Sequence, residues 1–284
     1  MQEAAEHLRA LARQIVEEAV ERLPVSAALL TGSAARGDAD FYSDIDLLLY
    51  VDEIPPEELV GEIREAVGGT RPVRKGDPTD HFCGEEFDLQ GVRTEVSFVA
   101  LAWADSRLEE LVTEIDQFDS SLQKVLSGLL DGLALYGEDL LERRRARVRA
   151  YPEPLRQAMV ERHWNFFPLW YYGEAISARD GELWRVDMLL QGAFNLLGVL
   201  AGLNRLYFTR FELKRMRALI SRMELAPPEL AERLESLFRL EPVAAAAELG
   251  RLVEETRALV AQELPDVDLS LEFPPSTRQR PWRT

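Results

Sequence analysis

The sequence predicts an α/β half followed by an all-helical half, divided near residue 150. Two observations carry this. Up to Leu101, short aliphatic and β-branched runs alternate with segments of helical periodicity; after Tyr136 only helical periodicity is left. Pro152 and Pro154 then mark a break, giving expected domains of 1–150 and 151–284. At 284 residues the chain is long enough for two domains, each with its own core.

Residues 3–23 place Leu8, Leu11, Ile15, Ala19 and Leu23 on one side of a 3.6-residue period, with Glu and Arg opposite, and Pro24 closes this helix. Val25–Leu30 reads as a buried strand running into Thr31-Gly32-Ser33. Ala34-Ala35-Arg36 starts a short helix that Gly37 stops. Ile45–Val51 is a second buried strand. Pro55-Pro56 opens a helix carrying Leu59, Ile63 and Val67, which Gly68-Gly69 ends.

Arg71–Gly84 mixes Pro, Gly, Asp and His without periodicity and is expected to be mainly loop. Glu86–Leu89 and Val92–Leu101 read as paired strands turning at Gln90-Gly91. Ser106-Arg107-Leu108-Glu109 has capping-box spacing and should open a helix. An apolar helix is expected from Ser121 to Leu135, broken at Tyr136-Gly137. Residues 155–178, 182–205, 210–224, 227–240 and 242–263 each carry helical periodicity. The tail from Pro265 to Thr284, with four prolines, should be extended.

Bulk composition, 46% hydrophobic and 29% charged, is that of a globular protein. A formal net charge of -17 argues against a protein whose main task is gripping a nucleic-acid backbone. The acidity fits a metal site, a cationic small-molecule substrate or a well-solvated surface. The single cysteine, Cys83, excludes an intrachain disulfide and a cysteine zinc site, and three scattered histidines have no metal-ligand spacing. The acidic N-terminus is unlike the basic start of a signal peptide. No run reaches the roughly 20 apolar residues of a membrane span. A cytoplasmic protein without membrane contact is expected, while monomer and homodimer both stay open.

Chemistry concentrates in two neighbouring stretches. In Leu29-Leu30-Thr31-Gly32-Ser33, glycine at a strand-to-helix turn lets a phosphate approach the backbone, and the serine hydroxyl can bind its oxygens. In Ser43-Asp44-Ile45-Asp46-Leu47, Asp44 and Asp46 are i and i+2 on a strand, so both carboxylates project from one face. Two converging carboxylates repel each other unless a cation sits between them, and magnesium, which takes carboxylates together with phosphate oxygens, suits the place. A lone Asp-x-Asp is usually an ordinary turn; beside Gly32-Ser33 it indicates phosphate and metal held side by side.

Gly32-Ser33, Arg36-Gly37 and Ser43-Asp44-Ile45-Asp46-Leu47 resemble the signature of the DNA polymerase β-like nucleotidyltransferase superfamily, which includes antibiotic nucleotidyltransferases. The resemblance covers residues 25–101 directly. It implies a nucleotidyltransferase domain with a mixed sheet, in which Gly32 and Ser33 hold a nucleoside triphosphate (ATP in the first instance) and Asp44 and Asp46 bind two Mg2+ ions. It also implies a third carboxylate on a later strand. Glu95 in Thr94-Glu95-Val96-Ser97-Phe98 supplies it, as metal ligand or as base on an acceptor hydroxyl, with Asp88 as backup. Arg36 and Ser43 join the nucleotide site, Arg36 having a salt bridge to Asp38 or Asp40 as its alternative role. Lys214 in the helical half is a candidate phosphate contact.

The helical half broadly resembles the C-terminal domains of aminoglycoside-modifying members, implying a hydroxylated, cationic small-molecule acceptor. AMP transfer to a protein or RNA, and a non-catalytic nucleotide sensor, are the alternatives. Trp164–Tyr172 is dense in aromatics and reads as bundle core kinked at Pro168, or else as a shelf for a ring. Asp187 could bind an amine or pair with Arg185 or Arg162. The five arginines from Arg143 to Arg149 read as a salt-bridged surface rather than an RNA site.

Overall fold

The computed structural model describes residues 2–75, 79, 81–113, 120–170 and 178–270. The chain divides into two compact units. One comprises Met1–Gln117 with Val125–Ala150, the other Phe118–Lys124 with Tyr151–Thr284.

The first unit is a mixed six-stranded sheet with helices. Its strands are β1 (Val25–Thr31), β2 (Ile45–Val51), β3 (Thr70–Arg74), β4 (Phe82–Leu89), β5 (Val92–Ala100) and β6 (Leu133–Tyr136), in the order β3-β4-β5-β2-β1-β6. Only β2 and β5 pair in parallel; the other neighbours are antiparallel. A parallel pair needs a long crossover, and here it contains α3 (Glu57–Ala66), β3 and β4.

The alternation of β2 decides what each face of the sheet does. Ile45, Leu47, Leu49 and Val51 are buried in a core shared with α1 (Gln2–Arg22), whose stripe of Leu8, Leu11, Ala12, Ile15, Val16 and Ala19 is also buried. Asp44, Asp46, Leu48 and Tyr50 therefore belong to the opposite face. At the Tyr50 end that face is covered. The Arg144 guanidinium, from α6 (Glu138–Arg149), lies 4.6 Å from the centre of the Tyr50 ring and 3.4 Å from Asp105 of α4 (Leu101–Thr113).

Three expectations for this unit need correction. Thr70–Arg74 is a strand, not loop: it is the sheet edge, all five residues are exposed, and it carries Pro72. An uncovered edge has no apolar face to leave a period in the sequence, and it tolerates proline. The helix after β5 starts at Leu101, so the capping-box residues lie inside it, with Ser106 3.4 Å from Glu110. The helix from Ser121 is α5 (Ser120–Asp131); Leu133–Tyr136 leaves it to pair with β1, and Leu133 and Leu135 pack on the core.

The second unit is helical: α7 (Glu153–His163), α8 (Glu182–Leu203), a 3-10 turn (Arg210–Arg215), α9 (Met216–Ile220), α10 (Leu230–Ser236) and α11 (Pro242–Glu263). The expected helix over 155–178 is interrupted after His163: residues 164–168 are not helical, where Pro168 lacks an N–H and restricts the residue before it, and Leu169 and Trp170 are helical again. Trp164 and Phe166 in this break are core residues, and the Trp164 indole donates to Leu269 O at 3.0 Å. Tyr171, Tyr172 and the tail beyond residue 270 lie outside the described residues.

By length and composition alone α8 could cross a membrane, but 67% of that stretch is buried within the protein, as in a core helix, and the helix carries Glu182, Arg185 and Asp187. Asp187 is on its exposed side, whereas Arg185 pairs with Glu182.

Candidate functional site

The site is built at the open end of the sheet face that carries the aspartates. β1 ends at Thr31 and the single-turn helix α2 (Gly32–Arg36) begins at once. The reversal requires φ +74° at Gly32, a left-handed conformation that favours glycine. A second constraint comes from β2: a Cβ on Gly32 would stand 3.0 Å from Asp46 Oδ2. Glycine is thus needed both for the turn and to leave room for the carboxylate.

Arg9 of α1 donates through Nε to Ala34 O (2.8 Å) and through Nη2 to Ala35 O (2.7 Å), holding α2 from behind. Sequence reasoning did not single out Arg9, which looks like any charged residue beside an apolar stripe.

Arg36 pairs with Asp38 at 3.3 Å. The loop that follows is closed by Asp40 and Ser43. The Ser43 hydroxyl donates to Asp40 Oδ1 (3.2 Å) and accepts from Asp40 N (3.0 Å), while Tyr42 N donates to Asp40 Oδ1 (2.9 Å). Ser43 shapes the approach to β2, and its hydroxyl is committed to this turn. Ala39 is fully buried beneath the loop, whereas Phe41 and Tyr42 at the tip are exposed.

Register brings together acids that are far apart in sequence. Thr31 pairs with Asp46, Asp46 with Glu95, and Glu95 with Glu86. Directly opposed residues share a face, and adjacent strands are about 4.8 Å apart. Asp46, Glu95 and Glu86 therefore form a row across β2, β5 and β4, with Asp44 just before β2. Asp88 is one row further along β4, where it accepts from Arg71 at 2.6 Å. Glu86 escaped the sequence reading because nothing local distinguishes it from neighbouring Glu85, which points to the other face and pairs with Arg64.

Two cations run through this row. Arg93 donates to Glu86 Oε2 at 2.6 Å and approaches Asp44 Oδ2 at 3.5 Å. Lys75 Nζ is 2.9 Å from Glu86 Oε2 and 3.4 Å from Glu95 Oε2. Hydrogen bonds from Arg93 and then Lys75 hold the Glu86 carboxyl down at about 2, and Glu86 in return raises both cations' affinity for their protons.

Among the described residues, no three acidic, histidine or cysteine side chains converge closely enough, as they lie, to hold a metal ion. The donor set nevertheless fits a hard divalent cation: it is entirely carboxylate, and the missing side chain of Gly32 leaves a cradle at Asp46. Lys214 lies in the helical unit, exposed on the 3-10 turn, with its ammonium 5.7 Å from the centre of the Phe211 ring.

No curated protein matches the sequence. The chain is similar to a solved structure of a nucleotidyltransferase-like protein from Exiguobacterium sibiricum 255-15. Identity is 12% and the TM-score 0.37, over 89% of this chain and 74% of that one. Residues 12–117 match the family described as Nucleotidyltransferase domain. That span contains the Gly32 turn and the whole row of acids.

Proposed function

We propose that this protein transfers a nucleoside monophosphate, AMP from ATP, to a hydroxyl of a small-molecule acceptor and releases pyrophosphate. The observation that carries the reading is the register that sets Asp46 beside Glu95 under the side-chain-free Gly32. In this reading Gly32 and Ser33 receive the β- and γ-phosphates, with Arg36 alongside them. Asp44 and Asp46, with Glu95, would hold Mg2+. When bound, the metal supplies neutralisation of charge developing at the α-phosphate.

Glu95 takes the proton of the acceptor hydroxyl. The new bond forms between that oxygen and the α-phosphorus, the bond from the α-phosphorus to the bridging oxygen breaks in line, and the electron pair leaves with pyrophosphate. Glu95 is partly exposed, so an acceptor can reach it. The acidity of the chain favours a hydroxylated, cationic acceptor such as an aminoglycoside. The catalytic domain is 1–150, and the helical domain 151–284, with Lys214, is assigned to substrate recognition.

The test is Mg2+-dependent pyrophosphate release from a panel of nucleotides and hydroxylated compounds. Asp44→Asn and Asp46→Asn should each abolish release while leaving the circular dichroism spectrum unchanged. Retained turnover in either variant would sink the assignment.

A further inference from the structure

Lys75 follows β3 directly, and its N–H donates to Gly84 O at 2.9 Å, extending the β3–β4 ladder by one residue. A Cβ on Gly84 would stand 3.2 Å from the Lys75 Cβ and 2.9 Å from the Phe82 ring. Because Gly84 has no side chain, the lysine stem can lie across β4 toward the row of acids. Its ammonium is shared between Glu86 (2.9 Å) and Glu95 (3.4 Å), and Arg93 shares Glu86 Oε2 from the other side. With Glu95 drawn to Lys75 and Asp44 to Arg93, the acids stand apart, in line with the lack of a converged group of three among the described residues.

We infer that Lys75 is a tethered counter-cation for Glu95: it occupies that carboxylate in the metal-free protein, competes with the divalent ion for it, and is held in reserve by Glu86. The inference rests on the nucleotidyl-transfer reading of the site and deepens it. Lys75 becomes a positioning residue that sets metal affinity, and Glu86 becomes the anchor that lets it withdraw. Glu95 cannot serve an ammonium and a divalent cation at full strength together, since the two positive charges repel at this range. Both Lys75 and Glu95 are about one-third exposed, so added salt should weaken the competition.

The experiment is Mn2+ binding to the full chain without nucleotide, followed by calorimetry and by the electron paramagnetic resonance signal of free Mn2+. Lys75→Met should bind Mn2+ about tenfold more tightly than the wild type, and the gap should narrow in high salt. Glu86→Gln, which leaves Lys75 only Glu95, should weaken binding; in the Lys75→Met background the same change should have little effect. Equal or weaker binding by Lys75→Met overturns the inference. So does an undiminished Glu86→Gln effect in the double variant, which would make Glu86 a ligand. Asp46→Asn separates the two levels. If it abolishes Mn2+ binding while Lys75→Met changes nothing, the metal-site reading stands and the inference fails. If neither wild type nor Lys75→Met binds Mn2+ saturably, both fall.

Discussion

Substituting Gly32 by alanine places a methyl group where two independent constraints meet. The backbone there has φ +74°, and the left-handed conformation costs an L-residue about 1–2 kcal/mol. The new Cβ would also stand 3.0 Å from Asp46 Oδ2, so the carboxylate must give way by a few tenths of an ångström. Gly68 is an internal control: its φ is +79°, and a Cβ there meets nothing within 4 Å. Gly32→Ala and Gly68→Ala should therefore lose similar stability, about 1–2 kcal/mol each, in urea unfolding followed by circular dichroism. Their activities should diverge. Misplacing a group that orients a reaction costs on the order of 100-fold per ångström, so a displacement of a few tenths of an ångström should make Gly32→Ala release pyrophosphate about fourfold to tenfold more slowly while Gly68→Ala keeps its rate. If the two variants turn over within a factor of two of each other, the contact between Gly32 and Asp46 has no part in catalysis and the reasoning fails.

Two further predictions concern stability. Burial holds the His163 imidazole down at about 4, below its ordinary 6.5, despite its 3.4 Å contact with Asn195 Oδ1. Between these values the unfolded chain binds a proton that the folded one refuses, so stability falls as pH drops from 6.5 toward 4, by about 2 kcal/mol at pH 5. Urea midpoints at pH 7.5 and 5 should reveal this loss, and His163→Gln should flatten it; an unchanged slope in that variant would assign the effect to other groups. Arg145 is buried and donates to Leu129 O (2.9 Å) and Gly132 O (2.7 Å), closing the end of α5. Arg145→Ala should cost about 3 kcal/mol in urea unfolding, because it leaves both carbonyls without their charged donor; a loss below 1 kcal/mol would show that water replaces the guanidinium.

Much of the α/β unit was legible because burial leaves a period. β2 and β5 each lie inside the sheet, and their aliphatic runs announce them. The turn at Gln90-Gly91 was equally plain, both residues having positive φ in the two-residue link between β4 and β5. β3 was missed because an exposed edge imposes no alternation. β6 was missed because its four residues follow α5 and share its apolar character. In the helical unit the periodicity ran on past His163, and only Pro168 hinted at the non-helical interruption over 164–168.

The sequence by itself determined the parts of the site whose geometry is local. Gly32 must turn, and Asp44 and Asp46 must share a face, because both depend on only a few consecutive residues; the Ser43–Asp40 hydrogen bonds were seen only in the structure. Tertiary structure alone decided which strands lie beside β2 and in what register. That register sets Glu95 against Asp46 and Glu86 against Glu95, and it brings Lys75 across Gly84 into the same row. A one-residue slip would turn these side chains to the opposite face. Burial of the apolar partners, Ile45, Leu47, Val96 and Phe87, holds the register that the charged residues could not have selected themselves. The opening pair of motifs thus becomes a row of acids already partnered by two cations.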